Sequence, residues 1–248
     1  MNSSGAIQLD RPLTADQMRP GLLSSVVADD ELGDGRLRYR TQRLIGYTPK
    51  GKPIYQVKGS SRQGWVETLA WQEADGPAVT GTAAASLLIP STSPLAGQSG
   101  RFTLPANYFD VGKELRITAA GRISNIVTTP GTLTPDVRLG STVVFNGGAI
   151  SLNIVAKTNV TWWLEMLLSC RSIGATAAAT ILGIGKLTSE SVVGAAAGTT
   201  LSAALPATAP AVGTGFDSTV ANVLDLFATF SLTGNSITLH NYALEALN

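Results

Sequence analysis

Hydrophobic and polar residues alternate most clearly in the run 162–171. Trp162, Leu164, Met166, Leu168 and Cys170 share one side of a two-residue repeat, and Trp163, Glu165, Leu167, Ser169 and Arg171 the other. One side is wholly apolar and the other mixed, which predicts a half-buried antiparallel strand. Leu115, Ile117 and Ala119 alternate in the same way with Arg116 and Thr118. Leu224, Leu226, Ala228 and Phe230 oppose Asp225, Phe227 and Thr229. Shorter strands are predicted at 86–89, 101–104, 137–139, 142–145, 149–155, 177–182 and 236–244. Turn signals separate them: PGTLTP at 130–135, NGG at 146–148 and Gly234-Asn235.

This pattern of many short strands, with no long amphipathic helix, predicts an all-β sandwich or barrel. A jelly-roll-like β-sandwich suits the strand number and the length. An immunoglobulin-like sandwich is the nearest competitor, but a single Cys gives it no cysteine pair. The chain has 248 residues, 44% of them hydrophobic, so a full core is within reach. Residues 1–13 lack the basic start and apolar core of a signal peptide. The uncharged run 191–216 is broken by Pro206 and Pro210 and falls short of the roughly 20 apolar residues of a membrane span. A soluble protein without membrane association is expected.

Charge divides the chain in two. Residues 1–77 carry 10 basic and 9 acidic side chains, while the remaining 171 carry 8 of each. The step suggests a boundary near Pro77, with an extended N-terminal arm at 1–77 and a jelly-roll domain at 78–248 that borrows no strand from it. Within the arm, 36–47 and Ile54 to Val57 flank a Pro/Gly-rich loop and predict a hairpin. Trp65, Leu69 and Trp71 are too few apolar anchors for a core of their own, so their segment must dock on something.

Candidate chemistry is sparse. Gly46 to Pro53 follows most of the phosphate-loop pattern, but Pro53 supplies neither hydroxyl nor N–H, and β-like residues follow where a helix is needed. Gly183-Ile-Gly185-Lys186 fails because Thr180 stands where the first glycine belongs; a strand end and turn is the expectation. His240 falls on one strand face with Tyr242 and Leu244. It has no nucleophile elbow to serve, since Gly97-Gln98-Ser99-Gly100 places its second glycine one residue early, so a hydrogen-bonded structural histidine is expected. Cys170 continues an apolar face and reads as a packed thiol. One Cys and one His form no zinc cluster, and no calcium-loop spacing occurs. Arg36, Arg38, Arg40 and Arg43 are offset by Asp29, Asp30, Glu31 and Asp34, and the net charge is +1. No nucleic-acid partner, metal, cofactor or catalytic residue is expected. The sequon-like triplets at Asn2 and Asn159 carry no weight.

Several runs carry a resemblance in order: FTLPA at 102–106, VGKELRITAAGRIS at 111–124, PGTLTPDVRLG at 130–140, NVTWWLE at 159–165, NVLDLFATFS at 222–231 and NSITLHNYALE at 235–245. Together they resemble the β-sandwich virion proteins of tailed bacteriophages, over about residues 80–248. GYTPKGKPIY at 46–55 is similar to a short segment of phage head proteins. The resemblance implies a non-enzymatic structural protein, first of all a capsid cement or decoration protein. It would be a homo-oligomer, a trimer by expectation, bound to a major capsid protein on the capsid exterior after synthesis in the host cytoplasm. The alternative is a fibre or tail component recognising a host glycan through aromatics such as Trp163, Tyr108 or Tyr242.

Overall fold

A computed structural model describes residues 66–90 and 99–247, together with two strands, β1 (Gln42–Tyr47) and β2 (Pro53–Val57). β1 and β2 pair antiparallel from Gln42 opposite Val57 to Tyr47 opposite Pro53, with a bulge between Leu44 and Gly46. This is the hairpin expected around the false phosphate loop; the loop tip lies outside the described residues, as do Arg36, Arg38, Arg40 and Gly97-Gln98.

The remaining strands belong to a compact unit, Gly64–Asn248. They are β3 (Val66–Trp71), β4 (Ala85–Ser86), β5 (Phe102–Leu104), β6 (Glu114–Asn125), β7 (Thr132–Leu139), β8 (Thr142–Asn146), β9 (Ile150–Ser151), β10 (Lys157–Ser172), β11 (Thr180–Ser189), β12 (Leu201–Leu205), β13 (Asn222–Phe230) and β14 (Ser236–Leu247). Sheet one runs β12-β11-β10-β6-β14-β3. Sheet two runs β4-β13-β7-β8, with β5 also on β13 and β9 also on β7. Every pairing is antiparallel. The all-β expectation holds, and among the described residues there is no helix to cross a membrane.

Taking β4/β5 and β8/β9 as interrupted single strands, and setting aside β11 and β12, eight strands remain. In chain order, sheet one then runs first-eighth-third-sixth and sheet two second-seventh-fourth-fifth. β11 and β12 extend sheet one beyond its sixth strand.

The core lies between the sheets. On β10, Trp162, Leu164, Met166, Leu168 and Cys170 are all buried, as their alternation predicts. The first four sit opposite Gly121, Ala119, Ile117 and Leu115 of β6, whose other neighbours include Leu244 and Ala246 of β14, and Cys170 sits opposite Ile181 of β11. From sheet two, Leu224, Leu226, Ala228 and Phe230 line up with Leu139, Val137, Pro135 and Leu133. The buried Trp162 indole donates to the Arg122 and Thr238 carbonyls, 3.2 Å each, so its polar atom enters the core paired.

Four expectations need correction. The domain boundary is not at Pro77: β3 is the edge strand of sheet one, paired with β14, and its Leu69 is fully buried. An edge strand is held by backbone pairing along one side and by burial of one face, so few apolar anchors suffice. PGTLTP at 130–135 is a turn only at its start, because Thr132 to Pro135 already belong to β7. Pro135 is tolerated there because it falls in the gap between the β8 and β9 pairings. Its carbonyl on that side accepts the Gly147 N–H at 2.8 Å, and no ladder needs its missing N–H. Gly183 and Gly185 lie inside β11 rather than at its end. A Cβ on Gly183 would stand 2.1 Å from the Phe145 ring, so this glycine lets the sheets approach. Finally, a bulge between Leu239 and Asn241 shifts the phase of β14. Ile237 and Leu239 face the core before it and Tyr242, Leu244 and Ala246 after it, which takes His240 off their face.

Candidate functional site

The outer face of sheet one holds the described cleft. Pleating turns the odd residues of β10 outward, and register then fixes their neighbours. One cross-strand row reads Thr188, Trp163, Ala120, Asn241; the next reads Lys186, Glu165, Thr118, Ala243, Trp71. Small side chains on β6 and β14 thus lie between two indoles on β10 and β3. The result is a shallow cleft of about 160 Å³ lined by Trp163, Thr118, Ala120, Asn241, Ala243 and Gln72. Trp163 is 49% exposed and Trp71 37%. The Trp71 indole N–H donates to Glu73 Oε1 at 3.2 Å, which orients the ring.

Two ion pairs flank the cleft, while Arg122 is exposed one row beyond Ala120 on β6. Lys186 lies 3.3 Å from Glu165, and Arg116 lies 2.6 Å from Glu245. The centre, with Thr118, Ala120, Ala243 and Asn241, is neutral. Such a centre can stack and hydrogen-bond a ligand, and it holds no charge of its own.

A second polar cluster is internal. Asp225 on β13 accepts a hydrogen bond from the Ser86 hydroxyl at 2.6 Å and pairs with Arg101 at 2.8 Å. Burial pushes its carboxyl above the usual range, against the pull of Ser86 and Arg101. Ser86 lies in β4 and Arg101 directly precedes β5, so this cluster ties both short strands to β13. Gln72 has a similar structural task, its Oε1 accepting the Ile89 N–H at 2.9 Å. At one end of the unit Lys157 donates to Glu190 at 2.6 Å. The lysine, with the Gly198 N–H, holds the Glu190 carboxyl below its ordinary range.

The residues singled out from sequence fall apart in space or turn out structural. His240 Nδ1 lies 2.6 Å from Asp75 Oδ1, the hydrogen-bonded arrangement expected of it. Cys170 is buried with its thiol 3.3 Å from the Ser172 carbonyl, and burial raises its pKa. Of the three aromatics considered for sugar stacking, Trp163 alone is exposed. Tyr108 and Tyr242 are buried, Tyr108 edge-on to Phe109 with the Lys113 ammonium over its ring. Among the described residues no group of three His, Cys, Asp or Glu side chains gathers as metal ligands. Trp71 and Asn241 were not legible as partners of Trp163, because pairing through β6 and β14 joins positions far apart in the chain.

No family model matches the chain, and no curated protein does either. Among solved structures, it is similar to the CBM2 module of the evolved Dit of Lactobacillus casei BL23 phage J-1. Identity is 12%, coverage is 60% of this chain and 68% of that one, and the TM-score is 0.25. No residue role is carried over at that level.

Proposed function

We propose that this chain is a structural protein of a tailed-phage virion that acts by binding rather than by turnover. The reading rests on the ordered runs between residues 102 and 245 that resemble β-sandwich virion proteins. The strand order of the two sheets supports it: first-eighth-third-sixth against second-seventh-fourth-fifth is the order expected of the jelly roll that the resemblance implies. The cement or decoration role on the capsid exterior is supported by one observation. Val127, Ile154, Val155 and Leu232 lie exposed in the loops β6–β7, β9–β10 and β13–β14, which share one end of the unit. Apolar side chains gathered in this way suit docking on another protein, a major capsid protein in this reading. A trimer would give each attachment three such ends.

A second reading, a fibre or tail component that recognises a glycan, is favoured by the exposed Trp163 cleft. Copy number in purified particles separates the two. Quantitative mass spectrometry finding hundreds of copies supports cement, a handful supports fibre or tail, and absence from particles overturns the virion assignment. Turnover of a glycan by the purified protein would overturn the non-enzymatic part.

A further inference from the structure

We infer that the outer face of sheet one is a binding platform for a neutral oligosaccharide, with the Trp163 indole as its principal stacking surface. This deepens the recognition reading above and rests on it for its biological use. Three observations point to that ligand class. First, Trp162 and Trp163 are adjacent, yet the one is sealed in the core and the other stands 49% exposed on a pleated face. A large indole kept in water beside a cleft gains from covering by the apolar face of another ring. Second, the neighbours in its row are Ala120 and Asn241. Alanine leaves the ring's flank open, and the exposed Asn241 amide offers both a donor and an acceptor to hydroxyl groups. Third, the row Thr188, Trp163, Ala120, Asn241 carries no charge, and in the rows beyond it Glu165 is paired with Lys186 and Arg116 with Glu245. A charged ligand seated on the Trp163 row would meet no opposite charge within it, whereas a neutral polyhydroxylated ring needs none.

Geometry also sets the size of the ligand. Trp71 lies on the same face, three strands from Trp163 across β6 and β14. At about 4.8 Å per strand spacing, with one row of about 7 Å along the strands, that is roughly 16 Å. A single sugar ring covers only one indole, while a short chain running across the strands reaches both. Longer neutral oligosaccharides are therefore expected to bind more tightly than monosaccharides.

The experiment is a screen of the full chain against an array of neutral and acidic glycans. Hits are then titrated by tryptophan fluorescence and by NMR of the indole N–H resonances. The expected result is binding to neutral oligosaccharides that shifts the Trp163 resonance and leaves that of the buried Trp162 in place. Trp163→Ala, with an unchanged melting curve, should weaken binding at least about tenfold, and Asn241→Ala by less. No neutral glycan bound, binding restricted to acidic glycans, or Trp163→Ala binding as well as wild type would each overturn the site. Copy number tests the recognition reading separately. Sugar binding by a protein present in hundreds of copies on the head would leave the site standing and overturn the fibre assignment.

Discussion

The two faces of sheet one follow the same pleat and obey different rules. On the inner face of β10, each side chain from Trp162 to Cys170 meets a packed partner from β6, β11 or the opposite sheet, and exposure is nearly zero throughout. On the outer face, Trp163 between Thr188 and Ala120 and Leu167 between Ile184 and Arg116 both stand exposed. Residue type does not separate the faces, since tryptophan and leucine occur on both. What separates them is whether a second layer exists to cover them, and that difference assigns stability to one face and leaves the other open to solvent.

Removing the edge that closes both faces should have the largest effect. A chain starting at Ala78 loses β3, takes the fully buried Leu69 out of the core and leaves β14 unpaired along one side. Because a core leucine truncated to alanine alone costs about 2–5 kcal/mol, the total loss should exceed about 5 kcal/mol. Circular dichroism and amide exchange should find it unfolded or aggregated; a native-like melt would show that sheet one closes without β3. Met166→Asp puts an unpaired charge at the centre of the inner face and should cost about 3–5 kcal/mol by denaturant titration.

Gly183→Ala examines the spacing of the sheets rather than their polarity. The added methyl meets the Phe145 ring at 2.1 Å, and overpacking of this kind costs about 1–3 kcal/mol. An unchanged melting temperature would mean that the ring swings away freely. A smaller effect is expected in acid. Glu190 is held below its ordinary value of 4.5 by Lys157 and the Gly198 N–H. Its stabilising contribution is therefore complete above that pH and is lost as pH falls through the lowered value. Glu190→Gln should remove this part of the acid sensitivity in melts between neutral and acidic pH, whereas an identical pH profile would disconnect the pair from stability. At the far end of the scale, Trp163→Ala and Leu167→Ser on the outer face should shift stability by no more than about 0.5 kcal/mol. A large loss in either would place that side chain under a cover and remove it from the binding surface.

Local sequence determined much of this protein. The two-residue alternation in 162–171, 115–119 and 224–230 marked the inner faces of three central strands, because a pleated strand covered on one side leaves no freedom of phase. Turn chemistry marked Asn146 to Gly148, where Asn146 Oδ1 accepts the Gly148 N–H at 2.9 Å, and Asn235, which is buried and donates to the Pro130 carbonyl at 2.8 Å. Tertiary structure alone decided three other matters. β3 is an edge strand whose sequence holds few anchors, since its place depends on the open side of β14. The shift in β14 comes from a one-residue bulge that no alternation pattern announces, and it separates His240 from the core row. The candidate site depends on both: Trp71, Ala243, Asn241, Ala120 and Trp163 share one face only because four strands from distant parts of the chain pair in this order, and cross-strand register is a property of the sheet rather than of any strand within it.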